Sequence, residues 1–225
     1  MEEQEFQCEL CRGPHYTNLT LLPIVKRITD GKAEPDDANT IAEVIKGRLT
    51  ERYITPLLYL QNEQESIVSG FIIMTNMCLL IETLQAFREG VKSFYRQKEG
   101  KIIESKDGKD AFINFLTKYQ TSLGEVTAEQ AEDFYYNIRC ALLHQGEVAN
   151  KWLLKHIEDG KGTAIEWGET KKLDAPHFME KMKTELEKYT QELPKNQELL
   201  MKAAEKLNHI IKNCTISFKL KIKSK

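Results

Sequence analysis

An apolar stretch in the first half of the chain decides more about the fold than any other part of the sequence. Its longest run, from Ile67 to Ile81, contains Ser69 and Asn76 and is shorter than the roughly 20 apolar residues that span a bilayer. On a helical projection the apolar residues between 65 and 90 lie on nearly every side, which is typical of a helix at the centre of a domain. They are Ile67, Val68, Phe71, Ile72, Met74, Met77, Leu79, Leu80, Ile81, Leu84 and Phe87. We therefore predict a buried core helix here.

The overall charge of the chain excludes general electrostatic attraction to nucleic acid or an anionic membrane. The chain has 225 residues, with 32 Lys and Arg against 34 Asp and Glu, and its net charge is -2. This length suits one large globular domain or two small ones. A nearly neutral chain is not drawn as a whole onto nucleic acid or an anionic membrane, so any anion must be bound at a local site.

The cysteines and the N-terminal residues indicate the compartment. The cysteines are odd in number and scattered, which favours a reduced cytosolic protein over a secreted disulfide framework. They are Cys8, Cys11, Cys78, Cys140 and Cys214. The first five residues lack the basic stretch and apolar stretch of a signal peptide. We expect a cytoplasmic protein that has no membrane partner.

Turn residues and helical periodicity divide the chain into three segments. Residues 1–38 are polar and interrupted by Gly and Pro, which predicts a loosely organised N-terminal arm. Residues 39–157 carry helical apolar periodicity, with a charged, Gly-containing loop at 90–108. Within this segment Thr127 and Gln130 have the spacing of a capping box, and Gly146 is well placed to end the helix that follows.

The remaining residues, 158–225, predict a smaller C-terminal extension packed on the helical domain. Residues 163–170 favour a short β-hairpin, and Asp174 with Pro176 predicts the start of a helix. A second helix is expected over 197–213, and residues 215–223 alternate with period two, which predicts a small terminal strand. The fold class is therefore mainly α, a helical bundle with a small C-terminal α+β extension.

The helix predicted from Thr127 to Gln145 carries the most informative side chains. Its core-facing arc consists of Ala131, Phe134, Tyr135, Ile138 and Leu142. Arg139 and His144 flank the opposite, outward sector. That sector contains Tyr136, Cys140 and Leu143, which is too apolar for a face in water, so we expect it to be covered. A second copy of the same helix is the simplest cover.

The Arg-x4-His spacing of Arg139 and His144, late in an all-α chain and followed by Gln145 and Gly146, resembles the HEPN superfamily. The resemblance covers roughly residues 39–157. It implies a helical bundle that dimerises so that the two motif helices line one cleft. Many members are metal-independent endoribonucleases of toxin and antiviral defence systems, some with an antitoxin or other partner protein, while others only bind RNA or nucleotides.

Two positions depart from that family's pattern. The residue after the Arg is often Asn, Asp or His in active members, and here it is Cys140. In the branch paired with a nucleotidyltransferase antitoxin, a Tyr lies two residues after the His, and here that position is Gly146. The first departure favours a module that binds without cutting, and the second argues against regulation through such a tyrosine.

The residue types fit RNA cleavage independently of the family. Histidine has an unperturbed pKa of about 6.5 and can serve as general acid or base near neutral pH. Arginine stays charged and presents a planar fork to phosphate oxygens. We expect His144 to act as the general acid or base and Arg139 to stabilise the transition state. Cys140 and Gln145 are candidate substrate-binding residues. A non-catalytic RNA- or nucleotide-binding module and a protein-interaction scaffold remain the alternatives.

Other motifs point to weaker possibilities. Cys8 and Cys11, with His15 close behind, have the spacing of half a zinc site, but no second ligand pair follows. No Gly-rich phosphate loop or zinc-protease helix is present, and we expect no cofactor. The C-terminal lysines Lys219, Lys221, Lys223 and Lys225 either keep an edge strand soluble or contact an RNA backbone.

Overall fold

The architecture comes from a computed structural model and is mainly helical. The structure describes residues 9–11, 16–61, 67–91, 95–98, 101–104, 106–119, 122–155 and 163–223. Its helices are α1 (Asn18–Thr29), α2 (Asp37–Leu49), α3 (Thr55–Gln61), α4 (Ile67–Glu89), α5 (Lys106–Lys118), α6 (Ala128–Phe134), α7 (Ala141–Gln145), α8 (Ala175–Glu192) and α9 (Gln197–Lys223). The segments Thr50–Ile54 and Tyr135–Cys140 are π-helical, and Leu193–Lys195 is a 3-10 turn.

The strands form three small sheets. They are β1 (Glu9–Cys11), β2 (Tyr16–Thr17), β3 (Tyr95–Lys98), β4 (Lys101–Glu104), β5 (Trp152–Lys155), β6 (Ile165–Glu166) and β7 (Lys171–Asp174). The pairs β1–β2 and β3–β4 are antiparallel. In the third sheet β7 is central, parallel to β5 and antiparallel to β6. The hairpin predicted near residues 163–170 is present, with its second strand in β7.

The chain forms two compact units. The first consists of Met1–Leu49, Ala86–Ser93 and Lys188–Lys225, and the second of Thr50–Gln85 and Phe94–Glu187. The boundary predicted at residue 157 falls between β5 and β7, so the two segments predicted on either side of it share a sheet.

In the first unit, helix α1 corrects the expectation of a loosely organised arm over residues 1–38. Its face formed by Leu21, Val25 and Ile28 is fully buried, and the helix packs against α9. A capping box between Thr17 and Thr20 starts the helix. Pro23, one of the residues that predicted an interrupted segment, lies on the exposed side of α1, where burial of the other face outweighs the lost hydrogen bond.

Two further expectations about local structure are wrong. Residues 95–98 and 101–104, within the predicted loop at 90–108, pair as strands and so satisfy their backbone groups. The predicted terminal strand at 215–223 is a continuation of α9 to Lys223. An extended segment needs a neighbouring strand for its backbone hydrogen bonds, whereas a continuing helix satisfies them within itself.

In the second unit α4 is a core helix, as predicted, although Ile72 and Leu79 are 42% and 38% exposed. Within α4, the side chains of Ile73, Met74, Met77, Cys78, Leu80, Ile81 and Leu84 are fully buried. Among the described residues, Ser69–Glu89 is the one helix long and apolar enough to cross a membrane, and more than half of that window is buried inside the fold. The helix predicted from Thr127 to Gln145 and the helix start predicted at Asp174 and Pro176 are also present, and α5 lies between α4 and the first of them in the chain.

An aromatic cluster fixes the helix that carries Arg139 and His144. Phe134 stacks on Phe178 of α8 with ring centroids 5.7 Å apart and meets the edge of Trp152 at 5.6 Å. Phe112 of α5 contacts Tyr135 at 5.5 Å. Such pairs add about 0.5–1.5 kcal/mol each beyond burial of their area. They attach the helix to α5, α8 and β5 at once.

Candidate functional site

Helix α6, the π-helical segment and α7 form one continuous helix over residues 128–145, called the motif helix below. Thr127 accepts a hydrogen bond from the backbone N–H of Gln130 at 3.2 Å, and the Gln130 side chain accepts one from Thr127 N–H at 2.9 Å. Gly146 ends the helix in the left-handed conformation with φ 70°, and its N–H bonds Leu142 O at 3.1 Å. Both predicted end signals are confirmed.

The motif helix contains a π-helical turn that the sequence did not predict. It covers Tyr135–Cys140, and the N–H of Ala141 bonds the carbonyl of Tyr136, five residues earlier. π-helical turns are rare in proteins, and those that do occur are frequently found at functional sites. The predicted core arc is nevertheless confirmed, because Ala131, Phe134, Tyr135, Ile138 and Leu142 are all buried. Arg139 lies inside the π-helical turn, whereas His144 lies beyond it.

Arg139 is held by Glu82 of α4. Its Nε donates to Oε1 of Glu82 at 2.7 Å, and the two side chains are only 12% and 22% exposed. The guanidinium carbon lies 5.4 Å from the centre of the Tyr135 ring, within the range of a cation–π interaction. The structure therefore gives Arg139 one fixed orientation on the surface between α4 and the motif helix.

Sequence analysis missed Glu82, although a signal was available. It is the only charged residue between Ile67 and Phe87, in a helix that is largely buried. A lone carboxylate in such a helix needs a cationic partner, because burial of an unpaired charge is costly. The sequence cannot say which of the chain's cations that partner is.

The cysteines near this ion pair differ in environment. Cys140 is half-buried, and its sulfur lies 4.0 Å from Nη1 of Arg139, so it contacts the guanidinium directly. Cys78, one turn before Glu82 on α4, is fully buried, and this burial raises the pKa of its thiol. A buried, protonated thiol is an inert part of the core rather than a nucleophile.

His144 and Gln145 are exposed at the end of the motif helix. Within the described part of the chain, no hydrogen bond or ion pair fixes the His144 ring. The structure thus brings Arg139 and Cys140 together and leaves His144 and Gln145 open to solvent one turn further along.

The outward sector of the motif helix, between Arg139 and His144, is partly apolar, as predicted. Tyr136 is 50% exposed and Leu143 is 37% exposed. Lys109 of α5 covers part of Tyr136: its ammonium lies 4.8 Å from the ring centre and 3.1 Å from the hydroxyl oxygen. Lys109 also pairs with Glu132. The hydrogen bond to Glu132 raises the pKa of the lysine most, and the hydrogen bond to Tyr136 raises it further.

A polar network ties down the loop that follows His144. Asn137 Oδ1 accepts from Asn150 Nδ2 at 2.7 Å, and the Asn137 carbonyl accepts from Ala149 N–H at 2.9 Å. Asp133, one turn earlier, accepts from Asn137 Nδ2, Trp152 Nε1 and Lys171 Nζ at 3.0, 2.9 and 2.8 Å. These bonds fasten the motif helix to β5 and β7.

The half zinc site predicted from Cys8, Cys11 and His15 receives no support from the residues that the structure describes. Cys8 and His15 lie outside the described residues. Cys11 is buried in β1, and its sulfur packs against Gly47 so closely that a Cβ there would collide with it. In the described ranges no cluster of three or more His, Cys, Asp or Glu side chains could hold a metal ion.

Comparison with protein-family models, with curated proteins and with solved structures finds no match to this chain.

Proposed function

We propose that this protein is a metal-independent endoribonuclease of the HEPN type. The proposal rests on the different environments of two side chains on the motif helix. Arg139 is oriented by Glu82 and Tyr135. His144, one turn later, is exposed to solvent. Phosphodiester cleavage without a metal requires a general base, a general acid and a cation; here Arg139 is the cation, and the accessible imidazole of His144 is one of the two proton-transfer groups.

In the proposed reaction the RNA supplies its own nucleophile. The 2′-oxygen forms a bond to phosphorus while the bond from phosphorus to the 5′-oxygen breaks. A general base takes the 2′-hydroxyl proton, a general acid protonates the leaving 5′-oxygen, and the products carry a 2′,3′-cyclic phosphate and a 5′-hydroxyl. His144 serves as one of these two groups, and Arg139 stabilises the charge that develops on the phosphoryl oxygens.

A homodimer completes the site in this proposal. One chain supplies a single His144, whereas two motif helices facing each other supply both an acid and a base. The exposed Tyr136 and Leu143 give the helix an apolar strip for such a contact. The resemblance further favours a cytoplasmic defence or toxin protein, with an antitoxin or defence-system protein as its partner.

A second function is favoured by the same ion pair. Because Glu82 occupies Arg139 Nε at 2.7 Å, a phosphate must compete with a carboxylate for the guanidinium. If Glu82 keeps the guanidinium of Arg139, the chain binds RNA or a nucleotide through His144, Gln145 and nearby groups without cutting it. Cys140, a weak donor in place of the family's Asn, Asp or His, favours the same alternative.

The proposal is tested by incubating the purified protein with total RNA in EDTA. We expect cleavage that is lost in His144→Ala and in Arg139→Ala. The matched control is His177→Ala on α8, which removes a half-buried imidazole outside the motif helix and should leave cleavage unchanged. RNA that is bound but left intact by all four proteins would favour the binding module. Cleavage retained in both motif variants would overturn the proposal.

A further inference from the structure

The outer face of the sheet β5–β7–β6 carries two neighbouring lysines. In the parallel register of β5 and β7, Leu153 lies opposite Lys172 and Lys155 lies opposite Asp174. Side chains alternate between the two faces of a strand, so Leu153, Lys155 and Lys172 share one face. Glu166 of β6 lies opposite Lys172 and belongs to the same face.

The other face of this sheet is attached to the motif helix. Trp152 and Lys171 point that way and both donate to Asp133, at 2.9 and 2.8 Å. The face with Leu153, Lys155 and Lys172 is therefore turned to solvent, and Leu153 is 49% exposed. All of these residues belong to the second compact unit, together with Arg139 and His144.

Among the residues that the structure describes, the charges on this outer face apart from the buried Asp174 are two ammonium groups and one carboxylate. The Lys172 ammonium lies beside that of Lys155 and lowers the pKa of Lys155. Glu166 lies 3.2 Å from Lys172, so one carboxylate faces two ammonium groups. Asp174, next to Lys155 in the register, is buried and accepts a hydrogen bond from the backbone N–H of His177 at the start of α8.

We propose that Leu153, Lys155 and Lys172 form a binding surface for the phosphodiester backbone of RNA, outside the position of cleavage. The inference rests on the proposed function, because it extends the RNA contact from the motif helix to the sheet attached to it. A phosphate between two ammonium groups relieves their repulsion, and the exposed Leu153 offers an apolar contact to a ribose. Trp152 and Lys171, on the other face of the same sheet, bond Asp133 of the motif helix, so this surface and His144 belong to one compact unit.

The experiment measures RNA binding by the full chain as a function of salt. A fluorescently labelled single-stranded RNA is titrated with the His144→Ala protein, which prevents cleavage, and with the same protein carrying Lys155→Gln and Lys172→Gln. The matched control carries Lys118→Gln and Lys183→Gln, which removes the same charge from exposed or half-exposed lysines of the same unit. Circular dichroism checks that all three proteins are folded.

Two lost phosphate contacts should make the negative slope of log Kobs against log salt shallower by about 1.4, at about 0.7 per contact for single strands. The control should keep the slope of its parent. Equal losses in both double variants, or no loss in either, would overturn the inference while leaving the proposed function intact. Displacement of the RNA by polyglutamate as efficiently as by unlabelled RNA would assign the surface to acidic protein instead. No RNA binding by the parent at low salt would overturn both proposals together.

Discussion

Arg139 of the π-helical turn donates from Nε to Oε1 of Glu82 at 2.7 Å, and Glu82 is the one charged residue in an otherwise uncharged stretch from Ile67 to Phe87. The pair joins the motif helix to the core helix α4. In the proposed reaction the pair also sets how readily the guanidinium binds a phosphate, so it connects the stability of the second unit to that reaction.

Glu82→Gln should separate these two roles. The amide oxygen keeps an acceptor for Arg139 but removes the negative charge, so a phosphate competes with a weaker partner. We expect tighter RNA binding in the His144→Ala background and a loss of stability of about 1–2 kcal/mol, because a hydrogen bond to a charged group is replaced by a neutral one. Fluorescence binding and urea unfolding measure the two effects. Unchanged affinity would show that Glu82 does not compete with RNA.

Asn137→Ala should loosen the loop after His144. The substitution removes the side-chain bonds to Asn150 and Asp133 and should cost about 1–3 kcal/mol in urea unfolding. Asn150→Ala tests the shared bond in a double-mutant cycle. If the two costs add without coupling, the 2.7 Å bond between Asn137 and Asn150 contributes nothing to stability.

Gly146→Ala should destabilise the end of the motif helix. Gly146 has φ 70°, and a Cβ there meets nothing within 4 Å, so the cost is conformational rather than steric. We expect about 1–2 kcal/mol by urea unfolding. Gly168→Ala is the matched control, because Gly168 does not have a left-handed φ and its nearest neighbour would be 3.6 Å away. Equal costs at both positions would contradict this explanation.

The chain should lose stability in acid through Asp37. The hydrogen bond from Arg27, with Nε at 2.9 Å, holds the pKa of this buried carboxyl below its usual value. A lowered folded-state pKa stabilises the protein above the unfolded-state pKa, and this contribution is lost as pH falls through the folded-state pKa. The free energy of unfolding should therefore fall more steeply below about pH 4 in the wild type than in Asp37→Asn. Parallel curves for the two proteins would contradict the assignment.

Local signals predicted the motif helix well, and long-range interactions account for what was missed. Thr127, Gln130 and Gly146 act through bonds to residues three or four positions away, so the sequence alone fixes both helix ends. The pairing of Arg139 with Glu82 joins positions far apart in the chain, and no local pattern selects that partner.

The errors in the fold have the same origin. Helix α1 forms despite Pro23 because Leu21, Val25 and Ile28 are buried against other elements. This burial stabilises the helix, and local helix propensity does not include it. The alternation in residues 215–223 is compatible with a strand, but α9 extends through them. Pattern alone does not decide between a helix that continues and a strand that needs a neighbour.

The most direct test of the central claim is the chemistry of the RNA ends. A synthetic RNA with one mapped cleavage position is incubated with the protein in EDTA, and the products are identified by mass spectrometry. The account predicts a 2′,3′-cyclic phosphate and a 5′-hydroxyl, no product with His144→Ala, and no cleavage when the nucleotide at that position is 2′-deoxy. Cleavage of the 2′-deoxy substrate, or undiminished cleavage by His144→Ala, would contradict the account.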